Sequence, residues 1–149
     1  MTDFNLDDFA FADSYVHVVK NPKTGADTNL QITLAGPGHP QTLAADEAER
    51  ARIYDKMEKR QAEAEAASKV GRTLPPERET VAESLERNAR ALAARIVTST
   101  PMIVGGASVT LTPATAEAIL ANPKFSWLFD SITAAYNNKV NFINVSAQT

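Results

Sequence analysis

Two histidines, a glycine-proline turn and a scatter of glutamates are the residues that could do chemistry in this 149-residue chain. His17 sits in "SYVHVV" and His39 in "GPGHP". A metal needs two or more ligands aimed at one point, and neither H-x-x-H nor H-E-x-x-H spacing occurs. Both imidazoles are therefore expected to serve structure or face water, with no metal and no cofactor. "GPG" at 36–38 has the glycines of a phosphate loop. It lacks the lysine and the G-x-x-x-x-G-K-[ST] spacing that let backbone amides cradle a phosphate, so a turn ending a strand is the simpler reading. Glu47, Glu58, Glu63 and Glu65 would have to be paired and shielded to exchange protons with a substrate. They are instead interleaved with lysine and arginine, as on a solvated helix face. Asn137, Asn138 and Asn141 suit the capping of a last helical turn. The chain has no cysteine, which removes a thiolate zinc site, a cysteine nucleophile and a disulfide frame. No catalytic residue is nominated, and the chain is expected not to be an enzyme.

An apolar fraction of 44% and a net charge of −3 describe an ordinary globular composition. They supply no general attraction for nucleic acid or anionic membranes. No apolar run nears the roughly 20 residues that span a bilayer. The start "MTDFNLDDFAF" lacks the basic region of a secretion signal. A cytoplasmic address is the resulting expectation.

The length fits one domain over 1–149, and the patterning predicts an α+β fold. Residues 1–13 read as a flexible N-terminal arm and residues 14–36 as a β-hairpin. "SYVHVV" and "NLQITL" flank "KNPKTGADT", with Leu30, Ile32 and Leu34 alternating against Gln31 and Thr33. "AGPGHP" ends the second strand because proline cannot donate to a ladder. Residues 42–143 read as a helical region with a small hairpin near 102–111, where Gly105-Gly106 separates two apolar runs.

Within that region Thr42 is the expected N-cap of a long helix running without a breaker to Gly71. Pairs such as Asp46 with Arg50, Asp55 with Lys59 and Glu65 with Lys69 lie at i,i+4. Its first half, with Leu43, Ile53, Tyr54 and Met57, is expected to pack, and its alanine-rich second half to project. "GRTLPPERET" reads as a linker whose prolines open the next helix. There Val81, Leu85, Ala89, Leu92 and Ile96 form one apolar stripe. Thr112-Pro113 and Asn122-Pro123 pair an N-cap with a first-turn proline. They predict a short helix and then a single long one over 123–143, striped by Phe125, Phe129, Ile132, Tyr136, Val140 and Ile143. Trp127 falls off that stripe and is the first candidate for contact with another molecule.

The acidic, phenylalanine-bearing start, the strand pair around "VKNPKTGADTNLQITLAG", the arginine- and glutamate-rich helix, and the ending "TLTPATAEAILANPKFSWLFDSITAAYNNKVNFI" together resemble the tail assembly chaperone-like proteins of long-tailed bacteriophages. The resemblance covers most of the chain and rests on layout. It implies a non-enzymatic role in the host cell cytoplasm: binding the tape measure protein and keeping it soluble until tail tube protein assembles around it. It also implies homo-oligomers. Trp127, Phe129, Tyr136 and Phe142 would then be partner-binding anchors, since interface energy concentrates in a few large side chains. The competing reading of these aromatics is core. The competing function is that of a structural virion protein of the tail or head-tail junction.

Overall fold

The computed structural model describes residues 3–146, with side-chain surroundings through Ile143. The fold is α+β. Strands β1 (Ser14–Lys20) and β2 (Asp27–Ala35) form the N-terminal antiparallel hairpin, and β3 (Ile96–Ser99) pairs antiparallel with the other edge of β2. The period-2 pattern decides the faces. Ile32 and Leu34 of the central strand are fully buried, and their β1 partners His17 and Tyr15 share that face. A separate two-stranded hairpin, β4 (Met102–Val104) and β5 (Ala107–Val109), lies where the glycine pair predicted it. Gly105 and Gly106 have φ of 58° and 81°, the left-handed pair that a two-residue hairpin turn requires.

The described residues form five α-helices, two between β2 and β3 and three after β5: α1 (Pro40–Lys69), α2 (Val81–Ala93), α3 (Pro113–Ala121), α4 (Ser126–Asn137) and α5 (Val140–Ser146). The core lies between the sheet and the last four. Ala89 and Leu92 of α2, Ala116 and Leu120 of α3, Leu128 and Ile132 of α4, and Phe142 of α5 join Val19, Ile32, Leu34 and Ile96 in one cluster. Thr112 caps α3 with Pro113 at its first position, as the sequence predicted, and Thr115 closes the capping box from the other side.

Phe142 is 0% exposed and meets Tyr15 and Tyr136 edge-on, at centroid distances of 5.9 and 6.0 Å. Its carbonyl accepts a hydrogen bond from Ala12 N, and Gly36 N donates to Asp13 O. Gly36 is where these segments converge. A Cβ built there would stand 2.5 Å from Ala12 O and 3.2 Å from the Phe142 ring.

Several expectations need correction. The cap of α1 is His39, whose Nδ1 accepts from Gln41 N at 3.0 Å; Thr42 instead lies buried and donates to Gly36 O at 2.8 Å. Thr42 is the one buried residue of α1 among the described residues, so Leu43, Ile53, Tyr54 and Met57 do not pack into the core. Asp46 reaches across to Arg95 at 2.8 Å rather than along its helix to Arg50. Helix α2 begins at Val81 behind the cap Thr80, leaving Pro75 and Pro76 in an extended segment, and Val81 itself is 79% exposed. Ile96, in phase with the α2 stripe, is a strand residue paired with Leu34.

The ending is three pieces rather than one: a 3-10 turn at Pro123–Phe125, then α4, then α5. Asn138, with ψ of 88°, interrupts the helix. Its freed carbonyls find side chains: Asn141 Nδ2 donates to Ala135 O at 3.0 Å and Lys139 Nζ to Tyr136 O at 3.1 Å. Of the segment 1–13, read as a flexible arm, residues 1–2 lie outside the described residues, and residues 3–13 include a 3-10 turn at Leu6–Phe9 capped by the Asn5 side chain.

Two substitutions test this account of the core. Phe142→Ala should cost about 3–5 kcal/mol in urea unfolding, and Gly36→Ala about 1–3 kcal/mol through overpacking. Trp127→Ala should cost less than either, since Trp127 is 38% exposed. A Phe142→Ala loss no larger than that of Trp127→Ala would refute the placement.

Candidate functional site

Of the four predicted anchors, the fold brings two together. Phe129 and Tyr136, seven residues apart on α4, line an open groove of about 280 Å³ against Asn88, Leu92 and Arg95 of the α2 end, with Thr133 between them. Spacing of seven puts them two turns apart on one face, which is why a single groove holds both. Each is partly buried and packed against the core with its remaining surface toward the groove. Trp127 does not line it. Phe142, sealed beneath Tyr136, is withdrawn as a partner anchor, because it cannot reach another protein without unfolding α5.

Arg95 organises one wall. Its guanidinium donates to Asp46 Oδ1 at 2.8 Å and to Ala91 O at 2.6 Å, and lies 5.3 Å from the centre of the Tyr136 ring. Lys139 Nζ stands over the same ring at 3.7 Å. Tyr136 is thus held by two cations and by the edge of Phe142, so its plane is fixed before any partner arrives. The floor carries a different feature. Thr133 Oγ1 is buried with no hydrogen-bond partner among the described residues. Such a group is costly to leave unpaired, and its burial keeps it out of reach of a molecule in the open groove.

A second, tighter cleft of about 160 Å³ lies on the other side of α2, between Ala45, Ala48 and Glu49 of α1 and Arg90, Ala91 and Ala94. Gln41 Nε2 ties the start of α1 to the residues after α2 by donating to Ala94 O and Ile96 O at 2.8 and 2.6 Å. Arg87 grips Glu79 through two 2.9 Å bonds, which hold the Glu79 carboxyl below its usual range. These are tethers between segments, and the carboxylates in them are engaged by arginine.

The remaining chemistry-bearing residues are placed apart. His17 Nε2 is 2.9 Å from Ser131 Oγ, joining β1 to α4. His39 caps α1, and "GPG" forms the turn between β2 and α1. Glu47, Glu58, Glu63 and Glu65 are exposed on α1. Among the described residues no group of three or more His, Asp or Glu could hold a metal ion, and no helix is long and apolar enough to cross a membrane.

Burial, and secondarily the charge of Lys20, push the His17 pKa below its ordinary 6.5. The unfolded chain takes up this proton near pH 6.5, while the folded chain resists it until lower pH. Folding therefore loses stability as pH falls through 6.5 and is independent of this group above about pH 7.5. Urea midpoints from about pH 7.5 to 5 should fall in the wild type and fall less in His17→Gln; equal slopes would refute the assignment. Comparison with protein-family models, with curated proteins and with solved structures finds no match.

Proposed function

We propose that the chain is a non-enzymatic binding protein that receives an amphipathic helix in the groove between α2 and α4. The observation that carries this reading is the groove itself: one wall presents two aromatic side chains of α4, Phe129 and Tyr136, both packed against the core, and α2 with Arg95 forms the other. Helix-in-groove recognition uses apolar anchors spaced over successive turns, and Phe129 and Tyr136 offer two contacts two turns apart. The resemblance in layout names the client class as the tape measure protein of a long-tailed bacteriophage, kept soluble in the host cytoplasm during tail assembly. The resemblance implies a long, helical client, and a shallow open groove accepts many registers of an amphipathic helix where a deep pocket would select one.

The test is co-expression with the tape measure protein, followed by pull-down at low and high salt. Phe129→Ala and Tyr136→Ala should each weaken capture about 30-fold, the effect of removing an interface hot spot. Asn88→Glu, which adds a charge at an exposed position of the α2 wall outside the cleft with α1, should do the same. Lys56→Glu and Arg60→Glu, on α1, should leave capture unchanged. Apolar contact is not screened, so high salt should change little. Circular dichroism of each variant separates lost binding from lost folding. No capture by the wild type would overturn the chaperone reading, and finding the chain in purified particles would favour a structural virion protein.

A further inference from the structure

Two exposed surfaces lie away from this groove, and they carry opposite charge. Residues 3–13 contain Asp3, Asp7, Asp8 and Asp13, and no lysine or arginine precedes Lys20. In the same stretch Phe4, Leu6, Phe9 and Phe11 are exposed, Phe4 to 75%. Phe4 and Phe9 stack with centroids 5.0 Å apart across the 3-10 turn. The result is an acidic knob with an aromatic face turned to water.

The middle of α1 is the complement. Residues 50–60 hold Arg50, Arg52, Lys56, Lys59 and Arg60 against Asp55 and Glu58, a local charge of +3. Ile53, Tyr54 and Met57 are exposed among them, Met57 to 61%. An open groove of about 560 Å³ runs there, with Ile53, Met57 and Ala64 as its apolar lining and Lys56, Arg60 and Glu77 at its rim. Lys56 pairs with Glu77 at 3.5 Å and Arg60 donates to Pro75 O, which fixes the extended segment alongside α1. Each cation keeps further donors free for a carboxylate.

We propose that this α1 groove is the docking site for the Phe4–Phe9 knob of a second copy of the chain. Charge and apolar character match on both sides. On the same molecule the knob does not fill the groove, since Phe4, Phe9, Ile53 and Met57 are all exposed. Because knob and groove are different surfaces, the contact is heterologous: it closes when two copies exchange arms and otherwise propagates.

The absence of native cysteine makes the test direct. Asp8→Cys and Gln61→Cys place single thiols on the exposed knob and in the groove without touching the core. Mixed together under mild oxidation, the two variants should form a disulfide-linked heterodimer about tenfold faster than either forms a homodimer, because docking raises the local thiol concentration. Phe4→Ser with Phe9→Ser should remove that enhancement and shift the cysteine-free chain to monomer in sedimentation. Asp7→Lys with Asp8→Lys should weaken self-association, and Lys56→Glu with Arg60→Glu in the same chain should restore it. Any of three results overturns the proposal: no enhancement in the mixture, an internal disulfide in a monomeric double-cysteine chain, or Gln61→Cys homodimers forming as fast as the heterodimer. The last would mean that α1 packs on α1.

Discussion

The structure depends on one crowded contact, the Phe142 ring seated over Gly36. Around it meet three segments distant in sequence: residues 12–15 through Ala12, Asp13 and Tyr15, the β2–α1 turn through Gly36, and α4 through Tyr136. Only glycine admits the ring and two carbonyls at that distance. Closing the fold on its last helix makes the contacts long-range. The same closure fixes the ring plane of Tyr136 and so shapes one wall of the α2–α4 groove. Core and candidate site are therefore consecutive layers of one aromatic stack, with Phe142 inside and Tyr136 at the boundary.

Helix α1 obeys a different constraint. It has 30 residues, and its attachment to the body is polar: Gln41 to the end of α2, Thr42 to Gly36, Asp46 to Arg95 and Lys56 to Glu77. Exposed ion pairs contribute little each, typically below about 1 kcal/mol. The helix persists because alanine, glutamate, lysine and arginine favour helix intrinsically, and because its first turn is well docked. A helix held this way can present a surface without straining the core. The apolar residues it carries are left unpacked, since α3, α4 and α5 already lie against the sheet.

What the sequence disclosed was whatever local rules determine. The alternation of Leu30, Ile32 and Leu34, the Gly105-Gly106 turn and the Thr112-Pro113 start are each written within a few residues, and each was legible. Ile96 was misread because it continues the helical phase of Leu92 by coincidence; its assignment to a strand depends on a vacant edge of β2 more than 60 residues earlier. The division of 123–143 was missed for a related reason. Its apolar spacing is continuous through Asn138, while the break is stabilised by side chains of Asn141 and Lys139 folding back on α4. The groove was half legible. Spacing of seven placed Phe129 and Tyr136 together, but nothing local marks Asn88, Leu92 and Arg95 as the opposite wall, and nothing local says that Phe142 lies inside while Trp127 lies near the surface.

The placement of charge follows from these two regimes. Where the chain packs, opposite charges meet across elements and are consumed, as Arg95 is by Asp46 and Arg87 by Glu79. Where it does not pack, charge stays segregated: acidic in residues 3–13, basic in 50–60. Mixed surface charge would keep a monomer soluble equally well. Segregation beside exposed aromatic and aliphatic side chains has a further physical effect, because the long-range term steers encounter while the apolar term, unscreened, sets residence. The α2–α4 groove has the second property without the first. A client held there would be recognised by shape and apolar area over many registers, whereas contacts through the arm and α1 would be directional.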